Sequence, residues 1–270
     1  MEINGTLSAI VTGGASGLGE ATARMLSSMG AKVAIFDLDI EKGSTIAKEL
    51  NSDFYEVDVS DVNSVNQAVL DFSKQNEGIQ VAVNCAGIGP AAKTVSRGEA
   101  HSSELFAKVI NINLIGTFNV ASICAAQMVK NDNYSDDGLR GVIINTASVA
   151  AYDGQVGQAA YSASKGGVVG LTLPMARDLS DKGVRVCSIA PGLFLTPLLE
   201  SLPNEVQESL GGQVPFPSRL GKPKEFAQLV CHIIENDMLN GEVIRLDGAI
   251  RMAPRLSLIH ISEPTRQHWI

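Results

Sequence analysis

The segment LSAIVTGGASGLGEATARML, residues 7–26, passes from a short apolar run through a glycine-rich loop into a helical pattern. A strand that leads into a glycine loop and then a helix N-terminus forms an anion site, because glycines let the backbone approach a pyrophosphate and the helix end offers free N–H groups. The glycines are spaced GxxxGxG at Gly13, Gly17 and Gly19, which departs from the GxGxxG fingerprint. Alone, this loop fits either a nucleotide site or ordinary tight turns.

Short β-branched runs alternate with longer amphipathic stretches along most of the chain, as in a parallel sheet covered by helices. Strands are predicted at 7–12, 32–37, 54–59, 79–84, 141–146, 184–190 and 242–247. Helices are predicted at 17–29, 62–75, 104–130, 158–179 and 224–236. Polar or irregular loops interrupt this order at 93–103, 131–140 and 191–220, and loops at one end of such a sheet usually shape the substrate site. We expect an α/β fold, with one doubly wound Rossmann-type domain over residues 1–255, about seven parallel strands and helices on both faces.

The amino-acid composition suits a sheet that is buried on both faces. Only 19% of the residues are charged and 45% are hydrophobic, before the 26 glycines are counted. The 21 basic and 29 acidic residues give a net charge of −8, so there is no basic surplus of the kind that binds nucleic acid or anionic membranes. The four cysteines and four histidines lack metal-ligand spacing, which predicts free thiols in a reducing compartment and no metal site.

Two other stretches decide how much of the chain forms the domain. Residues 109–129 carry no formal charge and are long enough to cross a bilayer. Asn111, Asn113 and Asn119 would lack partners in lipid, so we predict a buried helix and no membrane span. Residues 256–270 do not follow the strand-and-helix order, and we predict an extension outside the domain; a native tail that packs on a partner subunit is the alternative.

Polar side chains and a glycine follow the predicted strands at their carboxyl ends. Asp37 ends the second strand, 18 residues after Gly19. A carboxylate there accepts hydrogen bonds from the adenosine ribose and repels a 2′-phosphate, which favours NAD over NADP; alone, it would fit a solvated acid. Asp58 and Val59 end the third strand, and NCAG at 84–87 ends the fourth. These residues are expected at the edge where open α/β sheets bind ligands.

Three residues after the fifth predicted strand suggest catalysis. Ser148 is followed by Tyr161 and, four residues later, by Lys165. Positions i and i+4 share one helix face, so the ammonium group can lie close to the phenol and favour the phenolate, which a free tyrosine does not form at neutral pH. Ser148 can hydrogen-bond a substrate oxygen. Taken singly, the serine would be read as a helix cap, the tyrosine as a core residue and the lysine as a surface residue.

Together, these motifs resemble the short-chain dehydrogenase/reductase family. The resemblance rests on TGGASGLG at 12–19, NCAG at 84–87, Asn113 in NINL, YSASK at 161–165 and PGLFLT at 191–196. It extends over nearly the whole chain up to Arg255. GVIINTASVAA, QVPFPSRLG and NGEVIRLDGAIRM further resemble the members of this family that act on 3-hydroxyacyl-CoA.

The resemblance implies a role for each matching residue. Tyr161 would be the general acid/base, and Ser148 would orient the substrate oxygen. Lys165 would bind the nicotinamide ribose and lower the pKa of Tyr161, while Asn113 would hold a water linked to Lys165; a satisfied buried amide is the alternative for Asn113. Cys85 stands where most of the family has asparagine, so it would act through its backbone. The residues implied in NAD binding are Gly13, Ser16, Gly17, Leu18, Gly19, Asp37, Asp58, Val59, Cys85, Gly87, Tyr161, Lys165, Phe194 and Thr196.

The activity that the resemblance implies is NAD-dependent oxidation of short- and medium-chain (S)-3-hydroxyacyl-CoA, including 2-methyl-branched substrates, as in fatty-acid β-oxidation and branched-chain amino-acid degradation. The implied assembly is a homotetramer. Alternatives on the same fold are a hydroxysteroid or other secondary-alcohol dehydrogenase and a 3-oxoacyl-ACP reductase, although Asp37 argues against the last. A non-catalytic nucleotide-sensing or assembly subunit is an alternative of another class. Without a basic N-terminal extension, a bacterial cytoplasm is favoured, with the mitochondrial matrix as the eukaryotic alternative.

Overall fold

A computed structural model describes residues 1–255, and their secondary structure is an alternation of strands and helices. The strands are β1 (Ser8–Thr12), β2 (Lys32–Asp37), β3 (Asp53–Glu56), β4 (Val81–Asn84), β5 (Val95–Ser96), β6 (Glu99–Ala100), β7 (Gly141–Thr146), β8 (Val184–Pro191) and β9 (Val243–Leu246). The α-helices are α1 (Gly17–Ser28), α2 (Ile40–Leu50), α3 (Val62–Gln75), α4 (Ser103–Ile110), α5 (Gly116–Met128), α6 (Ala159–Asp178), α7 (Pro197–Glu200), α8 (Asn204–Gly211) and α9 (Pro223–Glu235). A π-helix, Asn111–Ile115, joins α4 to α5.

Seven strands form one parallel sheet in the order β3-β2-β1-β4-β7-β8-β9, and β5 pairs antiparallel with β6 outside it. The chain winds outward from β1 to β3, then returns to the other side of β1 at β4. This reversal leaves a crevice beyond the carboxyl ends of β1 and β4, where ligands bind in open sheets of this kind. The predicted doubly wound α/β fold is confirmed.

Apolar layers cover both faces of the sheet because successive strand residues point to opposite sides. On one face, Val11 of β1 packs in a core cluster with Leu26 of α1 and Phe226 of α9. On the other face, Ile10 packs in a cluster with Phe72 of α3 and residues of α5 and α6. Burial of each such side chain contributes about 2 kcal/mol relative to exposure, so the helices hold the sheet from both sides.

The predicted strands agree with the observed ones to within three residues, but the prediction lacks α2. Gly43 interrupts the helical pattern of IEKGSTIAKEL, and glycine is a poor helix former. The glycine is required here because the ring of Phe54 occupies the position that a Cβ would take. Asp39 starts the helix by accepting a hydrogen bond from the Lys42 N–H at 3.0 Å. The β5–β6 hairpin, α7 and α8 lie within segments predicted as loops.

The stretch Ser103–Met128 is long and apolar enough to cross a membrane by length and composition. In the fold it packs against α3, α6 and the sheet, and its Val109, Val120 and Cys124 are fully buried. Its Asn119 amide donates to the Val59 carbonyl at 3.0 Å, so this polar group has a partner inside the domain. These contacts are those expected of the predicted buried helix.

Only two of the three loops expected to shape a ligand site lie at the carboxyl edge of the sheet. The segments 93–103 and 191–220 follow β4 and β8. Segment 131–140 precedes β7 and lies at the opposite edge, where the Asn131 amide donates to the Ile79 carbonyl and the Arg140 N–H donates to the Gly183 carbonyl. That segment therefore supports the sheet rather than a ligand site.

Candidate active site

The glycine loop after β1 packs tightly against its neighbours. The Gly13 N–H donates to the Phe36 carbonyl at 2.8 Å, and Gly13 has a φ of +64°. A Cβ at Gly13 would lie 2.8 Å from the Ala86 nitrogen, and one at Gly19 would overlap the Gly13 carbonyl oxygen. Both positions require glycine, and the loop brings the backbone close to the edge where α1 begins at Gly17.

The Asp37 carboxylate ties this loop to the end of β2. One oxygen accepts the Ala15 N–H at 2.9 Å, and the other accepts the Asp39 N–H at 3.0 Å. Ser16 is the exposed N-cap of α1, and its hydroxyl makes no capping hydrogen bond. An acceptor suited to a ribose therefore contacts the loop at Ala15, and a hydroxyl suited to a phosphate follows in the next residue, Ser16.

Asp58, Val59 and Thr196, also predicted to bind the nucleotide, follow β3 and β8 at the carboxyl edge of the sheet. Asp58 accepts hydrogen bonds from the Ser60 N–H and hydroxyl at 2.9 and 2.7 Å. Val59 is buried beside α5. The Thr196 methyl group would lie 3.6 Å from a Cβ on Gly17, so segment 191–196 meets the glycine loop.

Two of the predicted cofactor residues point their side chains into the protein. Phe194 is 6% exposed, and its ring lies over Gly221, where a Cβ would come within 2.8 Å of it. Leu18 packs against the core cluster between the sheet, α1 and α9. Contact of either residue with a cofactor would therefore be made by the backbone.

Cys85 is held by hydrogen bonds at the start of the segment after β4. The Thr12 hydroxyl accepts the N–H groups of Cys85 and Ala86, both at 3.1 Å. The Thr146 hydroxyl donates to the Cys85 Sγ at 3.5 Å, and burial raises the pKa of this thiol to about 11. The neutral thiol agrees with the expectation that Cys85 acts through its backbone.

Ser148 and Tyr161 are brought together at the carboxyl edge of β7. The Ser148 Oγ accepts the Ala150 N–H at 3.1 Å and caps the short 3₁₀-helix Val149–Ala151. Burial raises the pKa of Tyr161, and a hydrogen bond with Ser148 acts in the opposite direction. Ser148 is therefore a helix cap and also a partner of the phenol.

Lys165 is buried, with 4% of its surface exposed, one turn after Tyr161 on α6. Its ammonium group donates to the Thr146 carbonyl at 2.7 Å and lies 5.8 Å from the centre of the Tyr161 ring. Burial lowers the pKa of Lys165 to about 8, so it still carries a proton at neutral pH. The lowering of the Tyr161 pKa by Lys165 stays a prediction.

Asn113 lies in the π-helix, a form of helix often found at functional sites. Its side chain accepts the Ile88 N–H at 2.8 Å and donates to the Ile88 carbonyl at 2.8 Å and to the Ser164 hydroxyl at 3.0 Å. Asn113 thus has the partners of a satisfied buried amide, and its position also supports the segment that contains Gly87. A Cβ on Gly87 would lie 3.1 Å from the Asn113 amide oxygen and 3.7 Å from the Lys165 Nζ.

The family model for short chain dehydrogenases matches residues 8–207. The chain belongs to the short-chain dehydrogenase family. Among similar short-chain dehydrogenases, 3-hydroxyacyl-CoA dehydrogenase type-2 of Bos taurus is 58% identical over 253 residues, covering 92% of this chain and 96% of the bovine protein. The Homo sapiens enzyme of the same name is 56% identical with the same coverage. The crystal structure of 3-hydroxyacyl-CoA dehydrogenase type-2 from Mycobacterium avium has a TM-score of 0.89 at 42% identity, covering 94% of this chain and 100% of that one.

Membership of the short-chain dehydrogenase family confirms the predicted fold and implies a nicotinamide cofactor. The crevice fits such a group. Gly13 and Gly19 leave room for close backbone approach, the N-terminus of α1 offers N–H groups, and Asp37 supplies an acceptor beside them. Within residues 1–255, no group of three or more histidine, cysteine, aspartate or glutamate side chains is arranged to hold a metal ion.

This short-chain dehydrogenase has a cavity of about 500 Å³ beside the first turn of α6, lined there by Ala159 and Ser162, the residues that flank Ala160 and Tyr161 in the chain. Segment 154–159 and Ser162 form one wall, and Lys93, Thr94 and Val95 form the other. The Ala92 N–H donates to the Gly157 carbonyl at 2.8 Å and joins the two walls. The cavity is large enough for the acyl part of a substrate.

Three residues of this site were missed in the sequence analysis. Thr12 positions the backbone of segment 85–86, and the carbonyl of Thr146 holds the Lys165 ammonium group. The Ser164 hydroxyl accepts from Asn113 and donates to the Tyr161 carbonyl at 2.7 Å. Ser164 precedes Lys165 within YSASK, so its place on the catalytic helix was a usable signal.

Proposed function

We propose that this enzyme oxidises short- and medium-chain (S)-3-hydroxyacyl-CoA, including 2-methyl-branched substrates, to 3-oxoacyl-CoA with NAD as the acceptor. The observation that carries the proposal is the combination of buried Ser148 and Lys165 with partly buried Tyr161 in one site, together with 58% identity to a 3-hydroxyacyl-CoA dehydrogenase over nearly its whole length. The neighbouring cavity supports an acyl substrate.

In the proposed reaction, the Tyr161 phenolate oxygen takes the proton of the 3-hydroxyl group, and Ser148 donates a hydrogen bond to the same substrate oxygen. Bound NAD supplies the hydride acceptor for C3. Lys165, protonated at neutral pH, provides the positive charge that favours the phenolate against the effect of burial. The hydrogen bonds of Asn113 and Ser164 fix the position of segment 87–88 relative to the start of α6.

Replacing Tyr161 with phenylalanine tests this mechanism. The variant keeps the buried ring but lacks the group that transfers the proton, so we expect a loss of kcat of at least 1,000-fold with NADH binding unchanged. The measurement is reduction of acetoacetyl-CoA by NADH, followed by absorbance. A Tyr161→Phe enzyme with the wild-type kcat would rule out the assigned role of Tyr161.

The choice of NAD rests on Asp37, whose carboxylate faces the position expected for the adenosine ribose and repels a 2′-phosphate. We expect a kcat/KM for NADH at least 100-fold above that for NADPH. Similar values for the two would favour the alternative of an NADPH-linked 3-oxoacyl-ACP reductase on the same fold.

We further propose a homotetramer, in a bacterial cytoplasm or, if the source is eukaryotic, in the mitochondrial matrix. The four free cysteines suit a reducing compartment. Light scattering of the purified protein measures the assembly, and fractionation of the source cells measures the compartment. A monomer in solution or a secreted protein would contradict these proposals.

A further inference from the structure

The segment between the two catalytic hydroxyl groups forms a wall of the cavity. After Ser148 and its short 3₁₀-helix, Tyr152 and Asp153 lead into residues 154–158, which line the cavity and continue into α6 just before Tyr161. The segment lies close to α6, because a Cβ on Gly154 would come 2.5 Å from the Ser162 Oγ. A shift of this wall would change the shape of the cavity. We refer to residues 152–158 as the cavity wall.

Arg245, near the end of β9, contacts the first two residues of the cavity wall, Tyr152 and Asp153. Its Nη2 donates to the Asp153 carboxylate at 3.0 Å, and its guanidinium carbon lies 5.2 Å from the centre of the Tyr152 ring. Arginine suits this position because its planar group can stack on a ring and donate in fixed directions at the same time. The Arg245 side chain is 20% exposed and that of Asp153 is 24% exposed, so water screens the pair less than it would on an open surface.

The same guanidinium group is itself held in place by the turn that follows β9. Its Nε donates to the Asp247 carboxylate at 2.8 Å, and its Nη2 also donates to the Ile250 carbonyl at 3.0 Å. The other Asp247 oxygen accepts the Ala249 N–H at 3.0 Å. Arg245 therefore connects a rigid turn to the cavity wall.

Two hydrogen bonds to backbone carbonyls extend the attachment. The Gln155 side-chain amide donates to the Ala253 carbonyl at 2.8 Å, and the Val156 N–H donates to the Pro254 carbonyl at 2.9 Å. These bonds join the cavity wall to the segment after β9, as the ion pair between Arg245 and Asp153 does at its start. By contrast, the catalytic residues are anchored elsewhere: Lys165 is bound to the carbonyl of Thr146.

We propose that Arg245, through Asp153, is a positioning residue that holds the cavity wall in the shape that accepts the acyl substrate. The inference rests on the proposed function for the identity of that substrate. Loss of the ion pair would release the wall without moving the proton-transfer groups or the glycine loop. The KM for the acyl-CoA should therefore change, while the kcat and the KM for NADH should not.

The variants Arg245→Met and Asp153→Asn, alone and together, test this inference in the full-length enzyme. In acetoacetyl-CoA reduction, we expect each single variant to raise the KM for acetoacetyl-CoA about tenfold, because small displacements of binding groups have effects of this order. The KM of the double variant should be close to that of Arg245→Met alone, because Asp153→Asn then has no ion pair with Arg245 left to remove. The kcat should stay within threefold, with an unchanged pH profile.

Arg251→Met is the matched control. The Arg251 guanidinium group lies 3.8 Å from the same Asp153 oxygen, but its side chain is 69% exposed, so we expect no change in the KM. An unchanged KM in Arg245→Met would overturn the proposal, as would equal losses in the kcat and in the affinity for both substrates. A double variant whose KM is the product of the single effects would also overturn it.

Hydrogen–deuterium exchange provides a readout that does not need turnover. We expect Asp153→Asn, which keeps the shape of the side chain, to speed exchange across residues 152–158 but not across the middle of α6. Unchanged exchange in the cavity wall would refute the positioning role. A wild-type enzyme that fails to reduce acetoacetyl-CoA, with faster exchange in the variant, would refute the proposed substrate and leave the positioning role supported.

Discussion

Replacement of Lys165 by methionine should change how the stability of the protein depends on pH. Burial lowers the pKa of Lys165 from 10.5 to about 8. Because 1.36 kcal/mol corresponds to one pKa unit, folding destabilises the charged form by roughly 3 kcal/mol. Below pH 8, the folded and unfolded chains both carry this proton and the cost is constant. Between pH 8 and 10.5, the unfolded chain binds more protons than the folded one, so this contribution to stability rises with pH.

The measurement is urea unfolding of the wild type and of Lys165→Met between pH 7.5 and 10.5, at one protein concentration and without nucleotide. We expect the free energy of unfolding of the wild type to rise by roughly 3 kcal/mol relative to the variant across this range. Groups that lie far from Lys165 and titrate in both proteins cancel in the difference. Lys182→Met is the control for the loss of a lysine, because the Lys182 side chain is 49% exposed.

A difference between the wild type and Lys165→Met that varies by less than about 0.5 kcal/mol over this range would refute the reasoning. It would mean that the ammonium group is hydrated or compensated in the folded protein. A difference that falls with rising pH would mean that folding raises the pKa of Lys165. Either result would contradict the conclusion that burial lowers the pKa of Lys165.

Two further substitutions test the glycine loop and the packing of α9. Gly19→Ala should weaken NADH binding at least tenfold in a fluorescence titration, because the new Cβ would overlap the Gly13 carbonyl oxygen. Gly170→Ala is the control: its new Cβ has nothing within 4 Å, so NADH should bind as it does to the wild type. Arg185→Met should lower the free energy of unfolding by about 3 kcal/mol. The buried Arg185 guanidinium group donates to the carbonyls of Ile233 and Ile234 in the last turn of α9, and to that of Leu239 beyond it. A loss below about 1 kcal/mol in urea unfolding would contradict this prediction.

Much of the fold was predictable because strands and helices carry different hydrophobic periods. The strand ending in Thr12 and the glycine loop after it also predicted the edge of the sheet at which a ligand would bind, because the carboxyl ends of parallel strands lie at the same edge. The failure at α2 has a local cause. Gly43 is needed in this helix because the Phe54 ring fills the space that a Cβ would take. Phe54 lies in a later strand, so the need for glycine cannot be inferred from the sequence of the helix alone.

The chemistry of the site was predictable where spacing along one element brings side chains together. Tyr161 and Lys165 are one helical turn apart, so their proximity follows from the sequence. The roles of Thr12 and Thr146 depend on bonds between neighbouring strands and segments, which have no signal within either stretch. Phe194 shows a further limit, because the sequence motif does not tell whether a residue turns its ring or its backbone toward a ligand. The predicted tail at 256–270 lies outside the described residues.

The two hydrogen bonds accepted by the Asp37 carboxylate have a consequence for protein engineering. An exchange of this residue for a smaller or basic one, the usual route to a 2′-phosphorylated cofactor, would also remove the acceptor of the Ala15 and Asp39 N–H groups. Under the proposed role of Asp37, cofactor preference and loop conformation are therefore coupled. A design that reverses the preference has to supply a new acceptor for those two N–H groups as well as a cation for the phosphate.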